Sequence, residues 1–247
     1  MRPILLLLAL LPLLVFPTAA VEDPALTLVN PWNPLPEGWQ VTLVDVGGGH
    51  RVDKACAADL QAMLSACRAA GFSPLICSSY RTQSTQQYLF DRKVGQMEAK
   101  GLRGEAARQA AAAIVAIPGT SEHQLGWAVD IVDKSYQVLD EKQANTPAQK
   151  WLMAHCWEFG FLLRYPADKQ AVTGIIHEPW HYRWVGRENA RAIQKTGLCL
   201  EEYLPLHRMV EDAKTKSLHR VSLVKLQQKT SLQGRIYGIF TCFPWTI

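Results

Sequence analysis

None of the six cysteines, Cys56, Cys67, Cys77, Cys156, Cys199 and Cys242, stands in C-x-x-C spacing, which disfavours a cysteine-held zinc cluster. The leading apolar run, Ile4 to Phe16, has thirteen residues, short of the roughly 20 that a bilayer-spanning helix needs. There is no stripe of basic residues, and a net charge of +4 reads as a solvated, mildly basic surface with no nucleic-acid partner. Gly47-Gly48-Gly49 lacks the strand, spacing and helix of a phosphate loop, so it is read as a turn. No internal repeat is visible. The charged and hydrophobic fractions, 19% and 48%, are those of an ordinary globular domain. A chain of 247 residues suits one sizeable core better than two.

The first twenty residues carry Arg2, the apolar run and a small-residue site at Thr18-Ala19-Ala20, so residues 1–20 read as a secretory signal peptide. The expectation is an exported, extracytoplasmic protein of the cell wall or periplasm. No cysteine near the cut indicates a lipid anchor, and an uncleaved N-terminal segment is the one membrane contact kept open. An oxidising compartment permits disulfides. Cys56 and Cys67, however, fall on one helix about 16 Å apart along its axis, too far to pair, and free thiols are expected.

A Pro/Trp-rich lead-in, residues 21–50, is expected to wrap the surface. Helical spacing runs from Asp53 to Ala70 and stops at Gly71, and Pro74 to Ser78 reads as a short buried strand. Arg81 follows at a strand-to-helix junction, with Thr82 capping a helix towards Lys100. Further helices are expected over Glu105–Ala116, from Thr146-Pro147, and over Arg187–Lys195 as the last regular one. His155, alone on its helix, is read as structural.

The chemistry is concentrated in two segments, Ser121 to Asp130 and Glu178 to His181. His123, Asp130 and His181 supply the three protein ligands of a catalytic zinc ion, which leaves its fourth position open, with Glu178 spare as general base. After Gly126 the residues alternate in strand fashion, putting Asp130 beside the small Ala128. His123 and Asp130 are seven residues apart, an odd separation that a continuous strand would send to opposite faces. The Gly126 turn is what brings them together.

His177-Glu178-Pro179-Trp180-His181 also spells the H-E-x-x-H signature of helical zinc proteases. That parse is rejected, because Pro179 inside a helix would cost roughly 3 kcal/mol and remove a backbone donor. Tyr182 to Val185 are strand formers, so a strand with a proline irregularity fits better.

The segments SSYRTQSTQQYLFD, PGTSEHQLGWAVDI, GFLLRYP and EPWHYRWVG resemble those of the VanY-type D-alanyl-D-alanine carboxypeptidases. That group is related to VanX-type D,D-dipeptidases and to the zinc fold of hedgehog domains. The similarity runs from about Val29 to about Leu204. It implies one catalytic Zn2+ on His123, Asp130 and His181, Glu178 as base, and Arg81, Gln86 and Ser121 holding or polarising substrate. Arg81 would also stabilise the developing oxyanion. His177, where relatives commonly carry a non-ligand residue, is read as a bystander. The segment from about His207 to Ile247 does not match the family.

The expected fold is α+β, a small, mainly antiparallel sheet carrying the zinc site and flanked by helices. Residues 51–205 would be the catalytic domain and 206–247 a tail of unknown role. The expected function is removal of the terminal D-alanine from peptidoglycan stem peptides by a monomer. An L,D-carboxypeptidase, a D,D-dipeptidase and a non-catalytic zinc-containing wall-binding module are the alternatives.

Overall fold

The computed structural model describes residues 23–217, so the expected leader and most of the tail, Cys242 included, lie outside the described residues. Residues 23–208 form one compact unit, and residues 209–217 are helical.

Among the described residues, six strands and six named helices make up the unit. Strands β1 (Leu43–Gly47) and β2 (His50–Asp53) form an antiparallel hairpin whose turn holds Gly48 and Gly49. Helix α1 (Lys54–Ala69) begins at Asp53, whose side chain accepts from the Ala55 amide, and is followed by β3 (Pro74–Ser78). Helix α2 (Gln83–Ala99) starts under a Thr82 cap, and α3 (Gly104–Ala112) is shorter than expected. It ends before Ile114 and Val115, which pack with Ala107 and Ala111 against Phe90 and Met97 of α2. Then come β4 (Ala128–Asp133), α4 (Pro147–His155), β5 (Phe161–Leu163), the single turn α5 (Gln170–Thr173), β6 (His181–Trp184) and α6 (Arg187–Thr196). Arg187–Thr196 is not the last helix of the unit, because residues 200–208 are also helical.

Strands β3, β4, β6 and β5 lie in that order in one sheet, every pair antiparallel. Strand alternation divides the sheet into two chemistries. Val129, Ile131 and Tyr182 pack with Leu60, Met63 and Cys67 of α1 and Leu152 of α4. Opposite them, Asp130 pairs with His181 and Ala128 with Arg183 on the face that carries charge. Buried polar groups on the core side are satisfied: the Tyr182 hydroxyl donates to Gln149 (2.6 Å), whose amide donates to the Ile131 carbonyl. In β3 the register slips by one residue, so Ile76 faces Ile131 but Ser78, not Cys77, faces Asp130. The lead-in is part of the fold, with Val29 in the main core and Leu35 and Trp39 packed against it. Cys56, Cys67, Cys77, Cys156 and Cys199 are free, Cys77 alone of these being exposed.

Candidate metal centre

His123 lies on a single 3-10 turn, Glu122–Leu125, that ends at Gly126 with φ 80°. A Cβ at Gly126 would stand 2.7 Å from Val41 Cγ1 and 3.1 Å from Asp53 Cβ. Only glycine therefore satisfies both the left-handed turn and the close approach. The turn reverses the chain and brings His123 to the face of β4 that carries Asp130. Asp130 and His181 meet as direct partners across β4 and β6. Their ligand atoms and that of His123 all lie within 4.8 Å of one another.

Hydrogen bonds fix which nitrogen of each ring faces inward. His123 Nδ1 donates to the Ser79 carbonyl (2.8 Å), leaving the Nε2 lone pair 3.3 Å from Asp130 Oδ2. His181 Nε2 faces Glu122 Oε2 at 3.4 Å, leaving Nδ1 3.2 Å from Asp130 Oδ1. The rings meet edge to face with centroids 4.9 Å apart. Asp130 Oδ1 is buried and has no hydrogen-bond partner. Two lone pairs and an orphaned carboxylate oxygen converging in a buried place repel each other unless a cation lies between them. A tetrahedral ion with bonds of ~2.1 Å separates its ligand atoms by about 3.4 Å, close to the 3.3 and 3.2 Å between Asp130 and the two rings. The donor set fits a zinc ion.

The surrounding charges agree. Burial would raise the Asp130 carboxyl, but His123, His181 and Arg81 outweigh it and hold Asp130 well below the usual carboxylate range. Burial and the Arg81 charge push His123 down to about 4, so that ring is neutral. Burial acts in the same direction on His181, but the Asp130 and Glu122 carboxylates carry it up to about 9. A cation on Nδ1 would meet the Asp130 carboxylate as a proton there does, while the Nε2 proton stays with Glu122.

Glu178 comes from the turn before β6, where the His181 amide donates to its carbonyl, and its Oε2 stands 3.6 Å from His181 Nδ1. The H-E-x-x-H residues are thus turn and strand, as Pro179 requires. Burial, reinforced by Asp130 and opposed by His181, pushes the Glu178 carboxyl up to about 8. His177 Nδ1 bonds the Tyr165 carbonyl (2.9 Å), and the residue is not in the three-ligand group. Arg81 donates to Asp130 Oδ2 (2.7 Å), to Ser78 Oγ (2.9 Å) and to Gln86 Oε1 (3.4 Å). Gln86 is fully buried, donates to the Ala116 carbonyl, and does not line the cavity, whereas Ser121 does.

Three charged residues not singled out from the sequence lie beneath. Glu122 is buried and accepts from Arg164 Nε (2.7 Å) and Arg183 Nη1 (2.9 Å) through one oxygen while facing His181 with the other. Arg164 is also paired with Glu201, and Arg183 donates to the carbonyls of Ala25 and Thr27. Alternation places Arg183 on the His181 face, and Glu122 adjoins His123. Those were the available signals. Above the centre opens a cavity of about 450 Å³, walled by α2, the 114–116 segment, residues 139–141 and the 175–178 segment.

An all-antiparallel sheet with two histidines and an aspartate converging beside a buried glutamate defines the class of zinc D,D-peptidase folds. A family model described as VanY, D-alanyl-D-alanine carboxypeptidase, matches residues 49–187, and the chain belongs to that family. A D-alanyl-D-alanine carboxypeptidase of Enterococcus faecalis (strain ATCC 700802 / V583) is 45% identical over 184 residues, 74% of this chain. The match spans 66% of that relative, just under two thirds of its length. A mutant of the vancomycin resistance D,D-pentapeptidase VanY from a VanB-type resistance cassette, solved in complex with Zn(II), has 44% identity and a TM-score of 0.67. It is matched over 73% of this chain and 98% of its own. VanYB in complex with D-alanine-D-alanine has 44% identity and a TM-score of 0.68, over 73% and 97% of the two chains.

Proposed function

We propose that this protein is a zinc-dependent carboxypeptidase that removes the terminal D-alanine from peptidoglycan stem peptides ending in D-Ala-D-Ala. The observation that carries this is the convergence of His123 Nε2, His181 Nδ1 and the orphaned Asp130 oxygen, with the Glu178 carboxylate 3.6 Å from the His181 nitrogen. The relatives' zinc and D-Ala-D-Ala complexes support it.

His123, Asp130 and His181 hold the ion, whose chemistry is that of a Lewis acid that polarises a carbonyl and acidifies a water to a pKa of ~7. Glu178 accepts the proton of the attacking water and delivers it to the leaving amine as the C–N bond breaks. Burial raises the proton affinity of this carboxyl, which suits a group that takes up a proton and returns it. Arg81, fixed by Ser78 and Asp130, directs positive charge at the developing oxyanion. Ser121, on the cavity wall, offers its hydroxyl to the peptide. Gln86 acts through its hold on Arg81.

On this reading residues 51–205 are the catalytic domain, and the protein works outside the cytoplasm as a monomer after removal of residues 1–20. No helix among the described residues is long and apolar enough to cross a membrane. The test is D-alanine release by the full, zinc-loaded chain from a pentapeptide ending in D-Ala-D-Ala, beside the matching tetrapeptide, free D-Ala-D-Ala and a chelated control. Release from the pentapeptide, abolished by chelation and by Glu178→Gln with zinc retained, is expected. No release by folded, zinc-loaded protein overturns the reading.

A further inference from the structure

Three arginine and lysine residues line the cavity above the metal centre: Arg81, Arg92 and Lys93. Two of them are engaged. Arg81 is clamped by Asp130, Ser78 and Gln86. Arg92 is exposed and lies over the Tyr88 ring, 5.9 Å from its centroid. Lys93 has neither a hydrogen bond nor an ion pair among the described residues, yet it is half-buried.

Its position on α2 explains where the charge goes. Leu89 and Lys93 are one turn apart on the helix side that lines the cavity. Gln86, which touches Arg81, lies two turns before Lys93, roughly 10 Å along the axis. The Cα–Cβ bonds of a helix tilt towards its N-terminus, here the end of α2 that carries Gln86. Burial, with the charges of Lys100 and Arg92, draws the ammonium below the usual lysine range, and Glu178 is the acid that opposes them. A partly desolvated ammonium with no partner is costly to hold in a cavity wall unless an anion completes it.

We infer that Lys93 recognises a carboxylate of the bound peptide, forming with it the ion pair that it lacks within the chain. This deepens the carboxypeptidase reading and rests on it. An acidic peptide brings carboxylates from two sources: its C-terminus, one residue beyond the scissile carbonyl, and an acidic residue further up the chain. Either presents the same oxygen pair to an ammonium, and both are tested below. Arg81 would then be left to the reacting carbonyl, and Lys93 would set affinity and choice of peptide.

The experiment is calorimetric binding to the full, zinc-loaded chain carrying Glu178→Gln, with and without Lys93→Met. The probes are a pentapeptide with one upstream glutamate ending in D-Ala-D-Ala, its C-terminal amide, its glutamine analogue, and the doubly neutral peptide. Methionine suits an exposed-to-half-buried helix position, so the fold is retained. Neutralising one of the two carboxylates is expected to weaken binding to the Glu178→Gln chain about ten- to a hundredfold, the range of a charge-assisted hydrogen bond. Lys93→Met should produce the same loss for the parent peptide and no further loss on that neutralisation, and Lys93→Arg should restore binding. The amide and glutamine arms identify which carboxylate is read. The inference is overturned if Lys93→Met binds all four peptides as its parent does, weakens all four equally, or if no probe binds. Turnover by the unmutated chain is scored separately. Hydrolysis without a Lys93 effect sinks this inference alone, whereas a Lys93-dependent binding preference without hydrolysis sinks the carboxypeptidase reading.

Discussion

Glu122 Oε2 faces His181 Nε2 at 3.4 Å while two buried arginines occupy its other oxygen. The carboxylate accepts from the outer nitrogen and so leaves the inner one with a lone pair. Glu122→Gln replaces an acceptor by a group that also presents N–H donors and can turn the ring to the wrong tautomer. Zinc affinity should fall about 10–100-fold, measured by competition with a chromophoric chelator. Thermal unfolding of the chelated proteins checks that the fold survives. Unchanged affinity would mean that the His181 tautomer is set without Glu122.

At Gly126 the expected effect is on stability. Alanine must adopt φ near 80° with its Cβ 2.7 Å from Val41 Cγ1, and such strain costs on the order of 1–3 kcal/mol before any clash. Urea unfolding should show a loss of about 2 kcal/mol or more for Gly126→Ala. A wild-type midpoint would show that the turn relaxes freely.

Metal removal should be visible without any substrate. An ion that binds only the folded chain stabilises it by ~2.7 kcal/mol at a free concentration 100 times its Kd, about 5–10 °C in Tm for a chain of this size. Chelation should lower Tm by that order, readdition of zinc should restore it, and His123→Ala should respond to neither. A Tm indifferent to zinc and chelator in the unmutated chain would contradict the metal centre.

Acid should strip one support in a defined window. Burial would raise the Glu201 carboxyl, but its pair with Arg164 holds it below the ordinary value. A depressed folded-state pKa gives stability that is complete above the unfolded value, about 4.3, and is lost as pH falls through the folded one. Glu201→Gln should therefore be less stable than the unmutated chain at pH 7, with the gap closing below pH ~4. A gap constant with pH would assign the loss to packing.

The convergence of His123, Asp130 and His181 was legible because three candidate ligands in two short segments leave few alternatives, and because Pro179 rules out the helix that the competing motif needs. The Gly126 turn was legible from the odd spacing of His123 and Asp130. Glu122 was not, since a glutamate beside a histidine gives no sign of which way it points. Arg164 and Arg183 sit inside motifs that the sequence made conspicuous, yet an arginine in or just after a strand reads as a surface residue until a buried carboxylate is seen opposite. The hairpin of β1 and β2 was reduced to its glycine turn, because its strands carry too little alternation to stand out. The helix over residues 200–208 was missed because Gly197 looks like a final stop.

The slipped register in β3 decides which element meets the metal. Residues directly opposite in an antiparallel pair share a face, so an unbroken register would set Cys77 against Asp130. The bulge puts Ser78 there and turns the sulfur aside, 3.4 Å from the Asp130 backbone oxygen. A thiolate added to two imidazoles and a carboxylate would close a four-coordinate, sulfur-containing shell of the structural kind. One extra residue in an edge strand thus keeps the donor set to nitrogen and oxygen, the kind that a catalytic zinc ion would need and a structural one would not.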